Sequence, residues 1–145
     1  MTPEERKDKL RRVEDEVWNK GNLDALDEVI APHYSYHDPS FPVEGLEEIK
    51  QRTRELLAAH PDLHMDVHEV LGDGDLTAYR WTQSGTARGE FRGVPASGKT
   101  YVMTGMNIDR WEGDRIVEGW IVYDLLGALQ QLDVIPETPW QETTN

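Results

Sequence analysis

GVPASGKTYVMTGMNIDRW, residues Gly93 to Trp111, can be read toward either of two folds. It opens with the phosphate-loop spelling G-x-x-x-x-G-K-[ST], with Gly93, Gly98, Lys99 and Thr100 in place. A phosphate loop needs a buried parallel strand before it and a helix after it, so that backbone N–H groups and the helix dipole meet the phosphates. After Thr100, however, Val102, Thr104, Met106 and Ile108 alternate with Gly105 among them, which is the period of a strand. The preceding ARGEFR is polar, and no apolar strand ending in an acid stands elsewhere in a βαβ setting. The spelling therefore predicts a loop and turn that enter a strand, with Lys99 solvated and no nucleotide bound.

The chain on either side fits a sheet of antiparallel strands. Leu63, Met65 and Val67 alternate with polar residues, and LTAYRWTQSGTA follows after the GDGD turn at 72–75. Beyond Trp111, the turn Trp111-Glu112-Gly113-Asp114 leads into RIVEGWIVYD, and LLGALQQL predicts a short closing helix. The N-terminal half is helical by the same criteria. Thr2-Pro3-Glu4-Glu5 forms a helix start with a Thr cap, Pro at the first position and Glu at the third. Leu10, Val13, Val17 and Trp18 then share one face. A second helix is expected over NLDALDEVIA up to Pro32, an extended HYSYHDP segment after it, and a third helix from Gly45 to Pro61. Helices first and strands afterwards predict an α+β fold: a curved, cone-shaped, mixed or antiparallel sheet whose concave face the N-terminal helices cover, enclosing a small-molecule pocket. One domain is expected over residues 1–136, with a polar tail at 137–145.

Composition narrows the function classes. The 145 residues carry a formal net charge of −13, with basic residues scattered among the acids, which argues against nucleic acid as a partner. No apolar run is long enough to span a bilayer, and the charged N-terminus lacks the apolar stretch of a secretion signal, so no membrane partner and a cytoplasmic address are expected. There is no cysteine, which removes disulfides, thiolate metal sites and thiol catalysis. His33 and His37, and likewise His60, His64 and His68, are four apart, but none of these pairs falls on a credible helix. Along a strand four residues span roughly 13 Å, too far to share an ion, so no metal is expected.

Two positions carry chemical signals. Asp124 ends an apolar strand and starts an apolar helix, with Trp120 and Val122 as its mates on the same face. It fits a helix N-cap, a structural ion pair, or a carboxylate in an apolar pocket, where desolvation would raise its pKa toward general acid–base range. Arg80 stands at a comparable place on the second strand, between Ala78 and Thr82 on one face, as a candidate partner. His37, in the aromatic segment Tyr34-Ser35-Tyr36-His37-Asp38-Pro39, is either a hydrogen-bonded loop histidine or a polar group at the pocket rim.

In sequence order, NKGNLDALDEVIAPHYSYHDP, HPDL, GDGDLTAYRWTQSGTARGEFRGVPASGKT, DRWEGDRIVEGWIVYD and LLGALQQLDVIP resemble the SnoaL-like polyketide cyclases of the nuclear transport factor-2-like superfamily, over roughly Leu10 to Pro136. The resemblance implies an α+β barrel-like cone, a homodimer or homotetramer packed through the outer face of the sheet, no cofactor, and intramolecular aldol chemistry on an aromatic polyketide-like molecule. It maps the family's acid–base aspartate onto Asp124, the histidine of its H-x-P onto His37 and a pocket-lining position onto Trp18. Read as an enzyme, the chain is expected to use Arg80 and His37 as polar support for Asp124, with Trp18, Tyr36, Met106, Trp120 and Val122 as substrate-binding residues. A hydroxylase-like member, or a non-catalytic binding or dimerisation module, is implied as an alternative. The chain departs from the family at Val122, where the cyclases carry histidine, and at Asp133, where they carry glycine. Thr82 stands where limonene epoxide hydrolase, of the same superfamily, would need a second aspartate.

Overall fold

The computed structural model describes residues 1–137; the expected polar tail lies, apart from Glu137, outside the described residues. Thr2 caps helix α1 (Pro3–Glu14) through a reciprocal box with Glu5. The helix loosens into a wide π-type turn at Asp15–Asn19, and a 3₁₀ segment follows at Leu23–Glu28. Strands β1 (Ile30–His37) and β2 (Val43–Glu44) precede helix α2 (Leu46–Ala59). Then come β3 (His64–Asp73), β4 (Leu76–Thr86), β5 (Thr100–Glu112), β6 (Arg115–Tyr123) and the short helix α3 (Leu125–Gln131).

The strands form one curved, unclosed sheet in the order β2-β1-β6-β5-β4-β3. Every pairing is antiparallel except β1 with β6. The expected second helix is shorter than its sequence pattern suggests. Ile30 pairs with Ile116, and the Ile116 N–H donates to the Val29 carbonyl at 2.7 Å, so the chain is already extended ahead of Pro32. β-Branched Val29 and Ile30 before an X-Pro bond favour that outcome over a helical turn.

The phosphate-loop spelling folds as a loop. Phe91 and Val94 exchange backbone hydrogen bonds at 2.9 and 2.8 Å around Arg92 and Gly93, at φ 42° and 94°. Two consecutive left-handed residues are what a tight primed turn requires. Gly98 bends the chain a second time at φ 73°, and Thr100 begins β5 with no helix after it. The Lys99 ammonium is 3.5 Å from Asp133, on the surface. Asp133 itself has φ 60°, the left-handed backbone that favours glycine.

The sheet's inner face and the helices enclose the core. Leu10, Val13 and Val17 from the first helical segment are each about 1% exposed. At the base, buried Trp111 donates its indole N–H to Thr77 at 2.9 Å, with the Arg6 guanidinium over its ring. Along β5 every odd-numbered residue from Tyr101 to Trp111 is buried and every even-numbered one is exposed. Gly105 is glycine because the Trp81 ring lies over it: a Cβ there would fall 2.2 Å from the ring. Gly105→Ala is expected to force Trp81 off its hydrogen bond to Asn107 (2.8 Å) and to cost about 1–3 kcal/mol, as overpacking in cores does. A thermal melt of the variant beside the parent protein checks this.

Candidate functional site

The inner face encloses a cavity of about 160 Å³, roofed by α1, α2 and α3. Its walls are mostly apolar and aromatic: Trp18 from the π-type turn, Tyr34 and Tyr36 from β1, Tyr79 and Trp81 from β4, and Tyr123 from β6. Tyr34 and Tyr36 stack with ring centres 5.5 Å apart. Into this setting the chain inserts three acidic side chains, Glu14, Asp38 and Asp109, in two different environments.

Asp38, at the end of β1, is fully bonded. Its carboxylate accepts from Arg52 at 2.9 Å, from the Tyr123 hydroxyl at 3.0 Å and from the backbone N–H groups of Ser40 and Phe41 at 2.9 and 3.2 Å. Arg52 also donates to the Phe41 carbonyl at 2.9 Å and lies over the Tyr36 ring. A buried ion pair satisfied on both sides fixes geometry and leaves no free lone pair for chemistry.

Asp109 contrasts with it. It is 3% exposed and lines the cavity, yet among the described residues its carboxyl has no hydrogen-bond partner. Burial pushes its pKa well above the usual carboxylate range, and the nearby Glu14 adds to the shift. Glu14 reaches in from α1. Burial pushes its pKa up to about 7, against the opposing pull of the Trp18 indole and the Tyr79 hydroxyl. That hydroxyl donates to Glu14 Oε1 at 3.4 Å. Burial likewise raises Tyr34 and Tyr79, so both remain phenols.

At Tyr101 the cavity has a second polar chain. Gln83 donates to the Tyr101 hydroxyl at 2.8 Å, and the same oxygen lies 2.8 Å from His60 Nδ1. His60 Nε2 is buried without a partner, and burial lowers the pKa of the ring. Among the described residues, no group of three or more His, Cys, Asp or Glu side chains lies close enough to hold a metal ion.

Of the residues singled out from sequence, Trp18 and Tyr36 line this cavity, and the other six do not. The reason is strand parity: neighbouring residues point to opposite faces, so a one-residue offset turns an inward position outward. Tyr79, Trp81 and Gln83 face in, so Arg80 faces out, where it pairs with Glu69 at 2.9 and 3.1 Å. Met106 faces out between inward Gly105 and Asn107. Ile121 and Tyr123 line the cavity, so Trp120, Val122 and Asp124 share the outer face. The expectation that Asp124 occupies an apolar pocket is corrected: the residue is exposed, and its Oδ1 caps α3 by accepting from Gly127 N–H at 2.9 Å. His37 is also outside, bonded to Glu118 at 2.8 Å and stacked on Trp120.

Glu14, Asp109, Tyr34 and Arg52, which the structure brings to the cavity, are not among the candidate site residues marked by sequence motifs. A signal for Asp109 existed, since it shares its parity with Tyr101, Met103, Asn107 and Trp111. Glu14 falls four residues after Leu10 and four before Trp18, on the apolar helical face.

Among curated proteins, none matches the chain. Solved structures do. A candidate polyketide cyclase from Acidithiobacillus ferrooxidans is 35% identical with a TM-score of 0.78, covering 88% of this chain and 94% of that one. IdmH, a candidate polyketide cyclase from Streptomyces antibioticus, is 32% identical with a TM-score of 0.72, over 92% and 100% of the two chains. TsrD from Streptomyces laurentii is 25% identical with a TM-score of 0.85, over 93% and 100%. With this fold, this cavity and a family profile that matches residues 8–132, the chain belongs to the SnoaL-like polyketide cyclase family.

Proposed function

We propose that the protein is a cyclase-type enzyme that performs acid–base, aldol-type chemistry on a small polyketide-like carbonyl compound inside the cavity, with Glu14 as the proton shuttle. The observation that carries this reading is a carboxyl whose pKa is raised to about 7, facing an aromatic cavity next to a second carboxyl held above its usual range. A base works best when its pKa lies near the working pH. Glu14 would take the proton from the carbon α to a carbonyl. The enolate then attacks a second carbonyl of the same molecule, one C–C bond forms, and the proton returns to the new alkoxide oxygen. The elements of the substrate are conserved throughout, and the aromatic walls hold the chain folded so that the reacting carbons meet.

The sequence-based assignment of this role to Asp124 makes a different forecast, and one experiment separates the two. The assay follows exchange of the α-protons of 2-acetonaphthone in D₂O by NMR, and reads proton removal alone. Glu14→Gln is expected to slow exchange by about 10²-fold or more, the usual loss for a general base. Asp124→Asn, which removes only a helix cap, is expected to stay within about twofold. The opposite pattern would return the role to Asp124. Binding of the ketone without exchange by the parent protein would favour the non-catalytic alternative.

The same group predicts opposing pH trends. Exchange is expected to rise as pH climbs through about 7, because the base must be free of its proton. Stability should move the other way. The folded-state pKa of Glu14 lies above its ordinary 4.5, so its contribution is complete below that value and is lost as pH rises to about 7. In Glu14→Gln both slopes are expected to flatten relative to the parent, measured by exchange rate and thermal midpoint from pH 4.5 to 8.

For the assembly we favour a homodimer formed through the outer face of the sheet. Exposed Val102, Met106, Ile108 and Val122 support it, and Met106 and Val122 are direct partners across β5 and β6. The paired change Met106→Glu with Val122→Glu is expected to shift the eluted mass from two chains to one in light scattering, with the far-ultraviolet spectrum unchanged.

A further inference from the structure

Gly119 of β6 marks a feature that proton shuttling by Glu14 does not use. It lies directly across from Asp109 on β5 and from Tyr36 on β1. A Cβ built on it would lie 2.5 Å from the Tyr34 hydroxyl and 2.8 Å from Asp109 Oδ1. The two oxygens therefore converge over the bare glycine backbone. They can be no farther apart than those two distances laid end to end, a gap that a single ligand oxygen spans.

Neither group is occupied elsewhere. Among the described residues, neither the Tyr34 hydroxyl nor the Asp109 carboxyl has a side-chain hydrogen bond, although Tyr34 is 4% exposed and Asp109 3%. Nor is either oxygen sealed in: among the described residues Arg6 Nε and His60 Nε2 are the fully covered side-chain atoms without partners, while Tyr34 and Asp109 border the cavity. Two adjacent buried polar groups without partners are rare in folded proteins, because each carries a desolvation cost of about 1–3 kcal/mol. The neighbouring acid Asp38 shows that this fold can satisfy a buried carboxylate completely when it is structural.

We propose that the Tyr34 hydroxyl and the Asp109 carboxyl form a two-point hydrogen-bonding site for a carbonyl oxygen that gains negative charge, an enolate or a phenolate-like oxyanion. The site rests on the acid–base reading above and assigns its substrate class: a planar ketone or ester whose oxygen enters between these two donors while Glu14 acts on the adjacent carbon. Donors held in place ahead of the reaction, in a cavity with little water, favour the charged oxygen over the neutral one. Gly119 is required because any side chain there would push both donors aside.

The test is equilibrium binding of two probes of matched shape, 2-naphthol and naphthalene, to the full chain by fluorescence titration. The parent is expected to bind 2-naphthol at least tenfold more tightly than naphthalene, and to shift the bound probe toward the naphtholate spectrum. Tyr34→Phe is expected to cut that preference about tenfold while naphthalene affinity stays within twofold. Asp109→Asn keeps an N–H donor and is expected to retain part of the preference, whereas Asp109→Leu is expected to lose it. Gly119→Ala is expected to lose it as well, and if that variant does not fold the Tyr34 and Asp109 variants decide. A preference that survives both Tyr34→Phe and Asp109→Leu, or one absent from the parent, overturns the proposal. Because binding is read without turnover, a retained preference in a protein inactive in proton exchange would sink the acid–base reading and leave the donor site standing. Exchange that depends on Glu14 without any naphthol preference would do the reverse.

Discussion

The pairing of β5 with strands on both sides decides where every functional side chain can point. β5 is the longest strand, paired with β4 from Thr100 to Arg110 and with β6 from Gly105 to Glu112, and its alternation runs unbroken through thirteen residues. Slipping its register by one residue would exchange the contents of the two faces. Tyr101, Asn107, Asp109 and Trp111 would go to the surface, and Val102, Met106 and Ile108 would enter the cavity. Gly105 pins the register from within, since only a residue without a side chain fits beneath the Trp81 ring. Trp111 pins it at the base, where its indole reaches Thr77. The polar contents of the cavity are thus set by packing contacts at Gly105 and Trp111.

Within that frame the chain treats the acids that line its cavity unequally. Asp38 is given Arg52, Tyr123 and two backbone N–H groups, and it joins β1 to α2 and β6. Asp109 is given none, and an unbonded carboxyl in such a place holds its proton because the charged form has nothing to replace lost water. Glu14 falls between the two, with weak support from Tyr79, so its proton is held less firmly. When two acids face one cavity, the first to ionise makes the second harder to ionise. The difference in hydrogen bonding therefore sorts the pair into one acid that loses its proton near neutral pH and one that keeps it, which is the division of roles the proposed acid–base function uses.

Much of this architecture was legible in the sequence. The strand period after Thr100 excludes a helix there and so removes the phosphate-loop fold. The Thr-Pro-Glu-Glu start, the breaks at Pro61 and Gly113, and the apolar helical face at Leu10, Val13 and Val17 all reappear in the structure. Strand facing was not legible. β5 carries apolar residues on both faces, and the set Val102, Met106 and Ile108 looks more like a core than Tyr101, Asn107 and Asp109 does, yet it faces outward. Likewise Trp120, Val122 and Asp124 do share a face, but it is the outer one. Period-two patterns identify which residues travel together; the side they take depends on partners far away in sequence, here the helices that roof the cavity.

That ambiguity has a physical origin. An outer face that is itself apolar removes the contrast by which inside is told from outside, and an inner face that borders a cavity carries polar groups where a solid core would have none. Both departures push the hydrophobic signal in the wrong direction at the same strand positions. Asp124 shows the result most clearly: its setting at a strand end before an apolar helix is equally what an N-cap demands, and the cap is what forms. Asp109 carried a parity signal but no capping motif, and what distinguishes it is the absence, among the described residues, of a hydrogen-bond partner for its carboxyl. Only the folded sheet, which brings Gly119 and Tyr34 beside it, gives that aspartate a setting different from an ordinary strand residue.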